Sequence, residues 1–162
     1  EQILMIKQLD GKVVDKDKAD FLKTEGFRLP TEIEWEWFAR GGEIGQKERS
    51  FDYKYSGSNN IDEVAWYYEN SGAKNEEGTT QNVGLKEANQ LGLYDCSGNV
   101  WEWCYDMPDD ESIEDGIVYR YRKLKGGAWI SNLELCQNFF CTSENAIFED
   151  IDIEFRIVRT IY

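Results

Sequence analysis

An α+β domain of few short helices and strands joined by long ordered loops is what this 162-residue sequence predicts. Three observations predict it. Leu29-Pro30-Thr31-Glu32-Ile33-Glu34 is laid out as a helix start. Gly92-Leu93-Tyr94-Asp95-Cys96-Ser97-Gly98-Asn99-Val100-Trp101-Glu102-Trp103 packs a turn, two acidic side chains and two tryptophans into one run. Between Gly41 and Leu91 the chain reads as loops and short strands, punctuated by Gly57-Ser58-Asn59-Asn60 and Gly78-Thr79-Thr80.

The helix is the clearest element. Thr31 stands as N-cap and Glu34, three residues on, completes a capping box. Ile33, Trp37 and Phe38 then fall on one face, and Gly41-Gly42 ends the helix. A weaker helix is predicted over the lysine-rich stretch Lys16–Lys23, and a short strand over Val64–Tyr68. Met107–Gly116 reads as an acidic exposed loop. Ile117–Lys125 alternates like a strand and runs into Gly126-Gly127-Ala128-Trp129. Glu154–Thr160 reads as a last strand, with Phe155, Ile157 and Val158 near the core.

Composition narrows the function classes. Aromatic residues make up 14% of a chain that has only two prolines, which fits a packed globular domain and not a disordered one. A net charge of −14 repels phosphate backbones and anionic lipid, so no nucleic-acid partner is expected and cations or basic partners are favoured. No apolar run reaches the length of a membrane span, and no secretory apolar segment is present, so no membrane insertion is expected. There is no histidine, which removes Ser-His-Asp and Cys-His catalysis and every His-ligated metal. Cys96, Cys104, Cys136 and Cys141 include no Cys-x-x-Cys pair, and either disulfides or buried thiols fit their spacing.

The acidic turn carries the first candidate chemistry. Ser97-Gly98-Asn99 is a turn tripeptide in which Gly98 supplies backbone freedom and Asn99 tolerates unusual dihedrals. Asp95 and Glu102 flank it, and carboxylates converging on the loop's own carbonyls suit a hard cation such as Ca²⁺. The same two side chains serve equally well as caps for turn N–H groups.

Several blocks together resemble one family. Arg28–Trp37 looks like its RLPTEAEWE helix start, and Gly92–Trp103 like its GLYDMSGNVWEW signature, with Cys96 where methionine is usual. Lys125–Trp129 resembles its RGGSW block and Glu154-Phe155-Arg156 its GFR. Tyr55–Asn59 and Val64–Tyr67 match a common subgroup. These blocks, in order from Phe27 to Thr160, resemble the formylglycine-generating-enzyme (sulfatase-modifying-factor) family, a variant of the C-type-lectin-like fold. The resemblance implies a single domain over residues 1–162 without the family's usual N-terminal strands, either a fragment or a shortened form. The first residue is Glu1, so a missing leading segment would leave a cell-surface or secreted location open.

The resemblance also implies sites. A structural Ca²⁺ would be held by the side chains of Asp95 and Glu102 and the carbonyls of Gly98 and Val100. A second cation position would involve Asn60 and Ile61. Formylglycine generation needs two cysteines after the Gly-Gly-Ser block, and these positions fall on Ser131 and Cys136. A hydroxyl is a far poorer Cu(I) ligand than a thiolate, so no copper is expected. Ala128 replaces the serine of that block, Gln137 and Cys141 stand where arginines are usual, and Glu154 replaces the glycine of GFR. The three-histidine iron of the related ergothioneine-pathway enzymes has no ligands here.

What remains is a non-catalytic domain presenting a surface. Trp129–Asp152 interleaves aromatic and small polar residues: Trp129, Ile130, Ser131, Asn132, Asn138, Phe139, Phe140, Thr142, Ser143 and Asn145 are the expected ligand-binding residues. The competing reading makes Phe139, Phe140 and Ile147 core. Variable proteins of diversity-generating retroelements resemble this family, lack the catalytic pair and display diversified residues in this stretch. The expected partner is a protein or other surface ligand, with the oligomeric state open. Two alternatives stand beside it: an oxidoreductase of the formylglycine-generating type, or a degenerate relative, using Cys136 with Cys141, and an accessory module that only positions a neighbour.

Overall fold

The computed structural model describes residues 26–106 and 120–159, together with the backbone of four short strands at 8–9, 12–13, 112–114 and 117–119. In chain order these are β1 (Gln8–Leu9), β2 (Lys12–Val13), β3 (Phe27–Arg28), α1 (Glu32–Ala39), α2 (Gly42–Glu48), α3 (Ile61–Val64) and β4 (Ala65–Trp66). A 3-10 turn at Ala73–Asn75 precedes β5 (Ser97–Gly98), β6 (Trp101–Trp103), β7 (Ser112–Glu114), β8 (Ile117–Tyr119), β9 (Tyr121–Lys125), β10 (Thr142–Asn145), β11 (Ile153–Glu154) and β12 (Val158–Arg159). The central sheet runs β10-β9-β6-β11, antiparallel except for the parallel β6–β11 edge. Four two-stranded pairs complete the strand set: β1–β2, β3–β12, β4–β5 and β7–β8. The α+β reading with long loops therefore holds. Among the described residues no helix is long and apolar enough to cross a membrane.

Helix α1 begins as the sequence predicts. The Thr31 hydroxyl accepts from the Glu34 amide (3.2 Å), and the Glu34 carboxylate accepts from the Thr31 amide (2.9 Å). Glu34 also takes a forked pair of bonds from Arg28, both 2.7 Å. The Arg28 hydrogen bond is the largest influence on the Glu34 carboxyl and, with the Thr31 bonds, outweighs burial to hold it at about 2 instead of 4.5. The folded value lies below the unfolded one, so this stabilisation is complete above about pH 4.5 and is lost as pH falls toward 2. Replacing Glu34 by Gln is expected to flatten the acid limb of the stability profile in that window, measured by urea titration at each pH. An unchanged acid limb counts against the bond set.

The face of α1 differs from the sequence reading. Trp35 and Ala39 are the buried residues, Phe38 is half-buried, and Ile33 and Trp37 are exposed. Residues 33/37 and 35/39 are equally good i, i+4 stripes, so helical spacing alone does not choose between them. The sheet chooses. Lys123 and Lys125 of β9 pair with Glu32 and Glu36, which turns Trp35 inward, and Trp37 packs instead on the Phe51 ring (5.4 Å).

Other boundaries also shift. Gly41-Gly42 ends α1 but starts α2, because Gly41 turns the chain through φ +83°. Val64 closes α3, leaving only Ala65–Trp66 as strand. The predicted strand over Ile117–Lys125 is broken at Arg120, and part of the expected acidic loop, Ser112–Glu114, pairs with β8. The last strand is two short ones, paired to different partners, and Phe155 and Ile157 are exposed, not core. The helix expected at Lys16–Lys23 lies outside the described residues.

Among the described residues the core has three small clusters. Trp35, Ala39, Cys96 and Cys104 form one, under α1. Leu29, Trp103 and Leu124 form the second, and Tyr55, Ile61, Val64, Ala65, Tyr67 and Cys136 the third. Long loops between them are stitched by buried amides. The Asn89 side chain donates to the carbonyls of Phe38 and Ala39 and to the Ser56 hydroxyl, and accepts from the Leu91 and Leu93 amides.

Candidate functional site

The Gly92–Trp103 run is exposed at Gly92 and Tyr94 and buried from Asp95 to Val100 and at Glu102 and Trp103. Gly98 (φ +72°) and Asn99 (φ +65°) both adopt the left-handed conformation that the turn chemistry predicts. Asn99 does more than tolerate it. Its amide donates to Trp66 O (2.7 Å), its carbonyl accepts from the Trp129 amide (2.8 Å), and its side chain bonds both backbone groups of Gln81. One residue thus joins three loops, including the one that begins the candidate face.

The four expected cation ligands, Asp95, Gly98, Val100 and Glu102, are all buried. Asp95 is buried in a left-handed conformation; Oδ2 accepts from the Gly84 amide (2.7 Å), while Oδ1 is buried without a partner. Glu102 is committed elsewhere, accepting from Trp35 Nε1 (2.8 Å), Arg156 Nε (3.0 Å) and Arg156 Nη2 (2.7 Å). The Gly98 carbonyl accepts from the Val100 amide (2.9 Å), and Val100 is buried. Burial alone would lower the proton affinity of Arg156, but the hydrogen bond and charge of Glu102, with lesser help from Asp95, raise it. Two buried carboxylates facing one guanidinium leave one negative charge over. That charge and the orphaned Asp95 Oδ1 fit a cation on the Asp95 side of the loop, with Glu102 serving first as the partner of Arg156.

The second expected cation position falls at the start of α3. Asn60 caps α3 by accepting from the Asp62 amide (3.3 Å) and donates to Glu63, and the Ile61 carbonyl accepts from the Ala65 amide. Ile61 is buried in the third core cluster. Among the described residues no three acidic or thiol side chains cluster as a metal site.

The C-terminal stretch divides into anchors and surface. Trp129, Ser131 and Asn138, expected at the binding face, are buried anchors. The Trp129 carbonyl accepts from Ser71 Oγ (2.7 Å), and its ring lies so close to Gly78 that an added Cβ there would sit 2.7 Å from it. Ser131 Oγ accepts from the Ala128 amide and the Ser131 amide donates back to Ala128 O, closing a tight turn (both 2.9 Å). Asn138 donates from its amide to Lys54 O and from its side chain to Tyr53 O. The Ser131 hydroxyl and the Asn138 side-chain NH₂ satisfy backbone groups of loops that have no sheet partner, which is why such residues go inside.

The remaining residues face outward. Ile130 is 52%, Phe139 61% and Ile147 79% exposed, so the core reading fails for Phe139 and Ile147. Asn132 and Thr142 are exposed, while Phe140, Ser143 and Asn145 are half-buried. Phe140 tilts against Trp101 at 6.2 Å. Asn132 Oδ1 accepts from the Leu135 amide (3.2 Å) and braces the next turn. Tyr68, absent from the sequence-derived set, joins this face because its amide donates to Ser131 O (2.9 Å). No local signal links positions so far apart in the chain.

All four described cysteines are free thiols. Burial pushes Cys136 up to about 12, Cys96 to about 12 and Cys141 to about 11, and raises Cys104 as well. Cys136 Sγ lies 3.5 Å from Asn132 O, in position to donate. Thiols so placed are protonated at neutral pH, and the thiolate is the form that attacks or ligates.

Short strands, long stitched loops and a surface carried on the C-terminal loops define a C-type-lectin-like scaffold. The chain belongs to the family of the sulfatase-modifying factor enzyme 1-like domain, whose model matches residues 9–161. The chaperone protein LppX of Paenibacillus barcinonensis is 37% identical over 147 residues, 83% of this chain and 50% of LppX. A formylglycine-generating enzyme of Streptomyces coelicolor is 37% identical over 137 residues, 76% of this chain and 42% of the enzyme. The chain thus spans about half the length of these curated relatives. Among solved structures, CarF matches with TM-score 0.73 and 32% identity over 86% of this chain and 49% of CarF. Treponema denticola variable protein 1 matches with TM-score 0.68 and 31% identity over 93% of this chain and 59% of that one. The family therefore includes formylglycine-generating enzymes alongside proteins named as a chaperone and a variable protein.

Proposed function

We propose that this chain is a non-catalytic binding domain that engages a protein or other surface ligand through the outward residues of Trp129–Asp152, in the manner of a variable protein. The carrying observation is the exposure of Ile130, Phe139 and Ile147 on loops whose neighbours Trp129, Ser131 and Asn138 are pinned inside. Rigid apolar groups held at low entropic cost are what a binding face needs. The names of LppX and the Treponema variable protein favour binding over catalysis. Placing a photo-crosslinking residue at Phe139, with exposed Val83 as control, tests the face in cells of the source organism. Crosslinks specific to Phe139 support it; equal crosslinking from both positions sinks it.

The chemistry of these residues disfavours the oxidoreductase alternative. Ser131 stands where a second thiol is required, and Cys136 is buried and protonated. Cu(I) titration is expected to give no tight site that disappears on Cys136→Ser, and a thiol-bearing peptide is expected to go unoxidised. A tight, Cys136-dependent Cu(I) site would restore the enzymatic reading.

Calcium belongs to the same proposal as a structural ion only. Asp95 Oδ1, with loop carbonyls, would hold it, and it would supply a fixed positive charge beside two carboxylates. Added Ca²⁺ is expected to raise Tm, an effect lost in Asp95→Asn; identical melting with Ca²⁺ and with a chelator counts against the ion.

A further inference from the structure

Deepening that reading and resting on it, we infer that the part of the face at Tyr68, Ile130 and Leu133 takes a cationic, apolar-centred polypeptide segment. Three exposed apolar residues lie there on adjoining loop segments. Ile130 stands at the tip of the Ala128–Ser131 turn, and Leu133 lies inside the next turn, braced by Asn132. Tyr68 is laid beside them by its bond to Ser131 O. All three are exposed, Ile130 between the buried Trp129 and Ser131 and Tyr68 beside the buried Tyr67.

The surroundings are one-signed. Glu134 follows Leu133 directly and is exposed. Its charge is near enough to Tyr55, in the core beneath, to help raise that phenol, after burial and Cys136. Glu76 and Glu77 are exposed on the segment whose next residue, Gly78, lies against the Trp129 ring. Glu69 follows Tyr68, and its partner Lys74 (2.6 Å) is the one ammonium among these residues. Four carboxylates against one ammonium leave the rim strongly negative around an apolar centre. A second copy of this chain is disfavoured as occupant, because its charge of −14 would repel the same rim. A segment with Leu or aromatic side chains flanked by Lys or Arg matches both parts, the apolar groups supplying affinity and the charges steering and register.

The test uses three synthetic peptides with one apolar centre, flanked by lysines, glutamines or glutamates, titrated against the whole chain by calorimetry. The lysine peptide is expected to bind, several-fold more weakly as salt rises to physiological strength. The double variant Ile130→Ser/Leu133→Ser is expected to weaken it about tenfold or more. Glu77→Gln/Glu134→Gln is expected to weaken it several-fold and to blunt the salt dependence. All four positions are exposed, and melting curves are the check that the variants fold. Equal binding of the glutamine peptide at this face overturns the inference while leaving the binding-face reading intact. Lysine-peptide binding unaffected by Ile130→Ser/Leu133→Ser, or no binding at all, overturns it outright.

Discussion

Gly98→Ala is expected to abolish folding, or to cost more than about 3 kcal/mol if any native protein survives. A methyl group there would sit 2.2 Å from Trp66 O and 2.9 Å from Trp66 C. Neither atom can move away. Trp66 and Gly98 are partners in the β4–β5 pair, and Trp66 O already accepts from the Asn99 amide at 2.7 Å. The left-handed φ of +72° adds a further penalty for any residue with a Cβ. Gly92→Ala is the control, because Gly92 has a similar φ of +73° but nothing within 4 Å of an added Cβ. It is expected to lose only about 1 kcal/mol. Circular dichroism melts of the two proteins separate steric exclusion from backbone strain, and equal losses would refute the close-approach argument.

Arg156→Met is the second large effect. The guanidinium holds Glu102 through two nitrogens and ties it to Tyr94 O (2.9 Å). Removing it leaves Glu102 and Asp95, both buried, without their shared cation. Breaking a buried pair by deleting one partner costs about 3–5 kcal/mol. The Arg156 side chain is 25% exposed, so the lower end, about 3 kcal/mol, is expected. For a domain of this size that lowers Tm by roughly 6–12 °C. The double variant Arg156→Met/Glu102→Gln is expected to recover part of the loss, because the residual cost is the stranded charge. A double variant no better than the single one would mean that Arg156 acts through packing alone.

Both predictions turn on contacts that differ in how far they reach along the chain, and that difference governs how much could be read beforehand. The capping box of α1 spans Thr31 to Glu34, and the left-handed pair Gly98-Asn99 is adjacent. Backbone dihedrals and caps respond to neighbours a few residues away, so these features were legible from composition and spacing. The family resemblance was legible for the same reason, since its blocks are short contiguous motifs. The face of α1 was not, because two i, i+4 stripes competed and the salt bridges from β9 decided between them. Nor was the division of Trp129–Asp152, where Ser131 and Asn138 look like surface residues but close loops from within.

The amino-acid order alone determined the α+β class, the start of α1, the turn at Gly98-Asn99 and a hydroxyl, not a thiol, at position 131. Tertiary structure decided that Glu102 accepts from Arg156, 54 positions away. It also decided that Ile130, Phe139 and Ile147 face solvent while Trp129 does not. The physical reason is common to both. Local conformational preference is carried by each residue and its near neighbours, whereas burial and charge pairing belong to the space between segments, which exists only once the loops are packed.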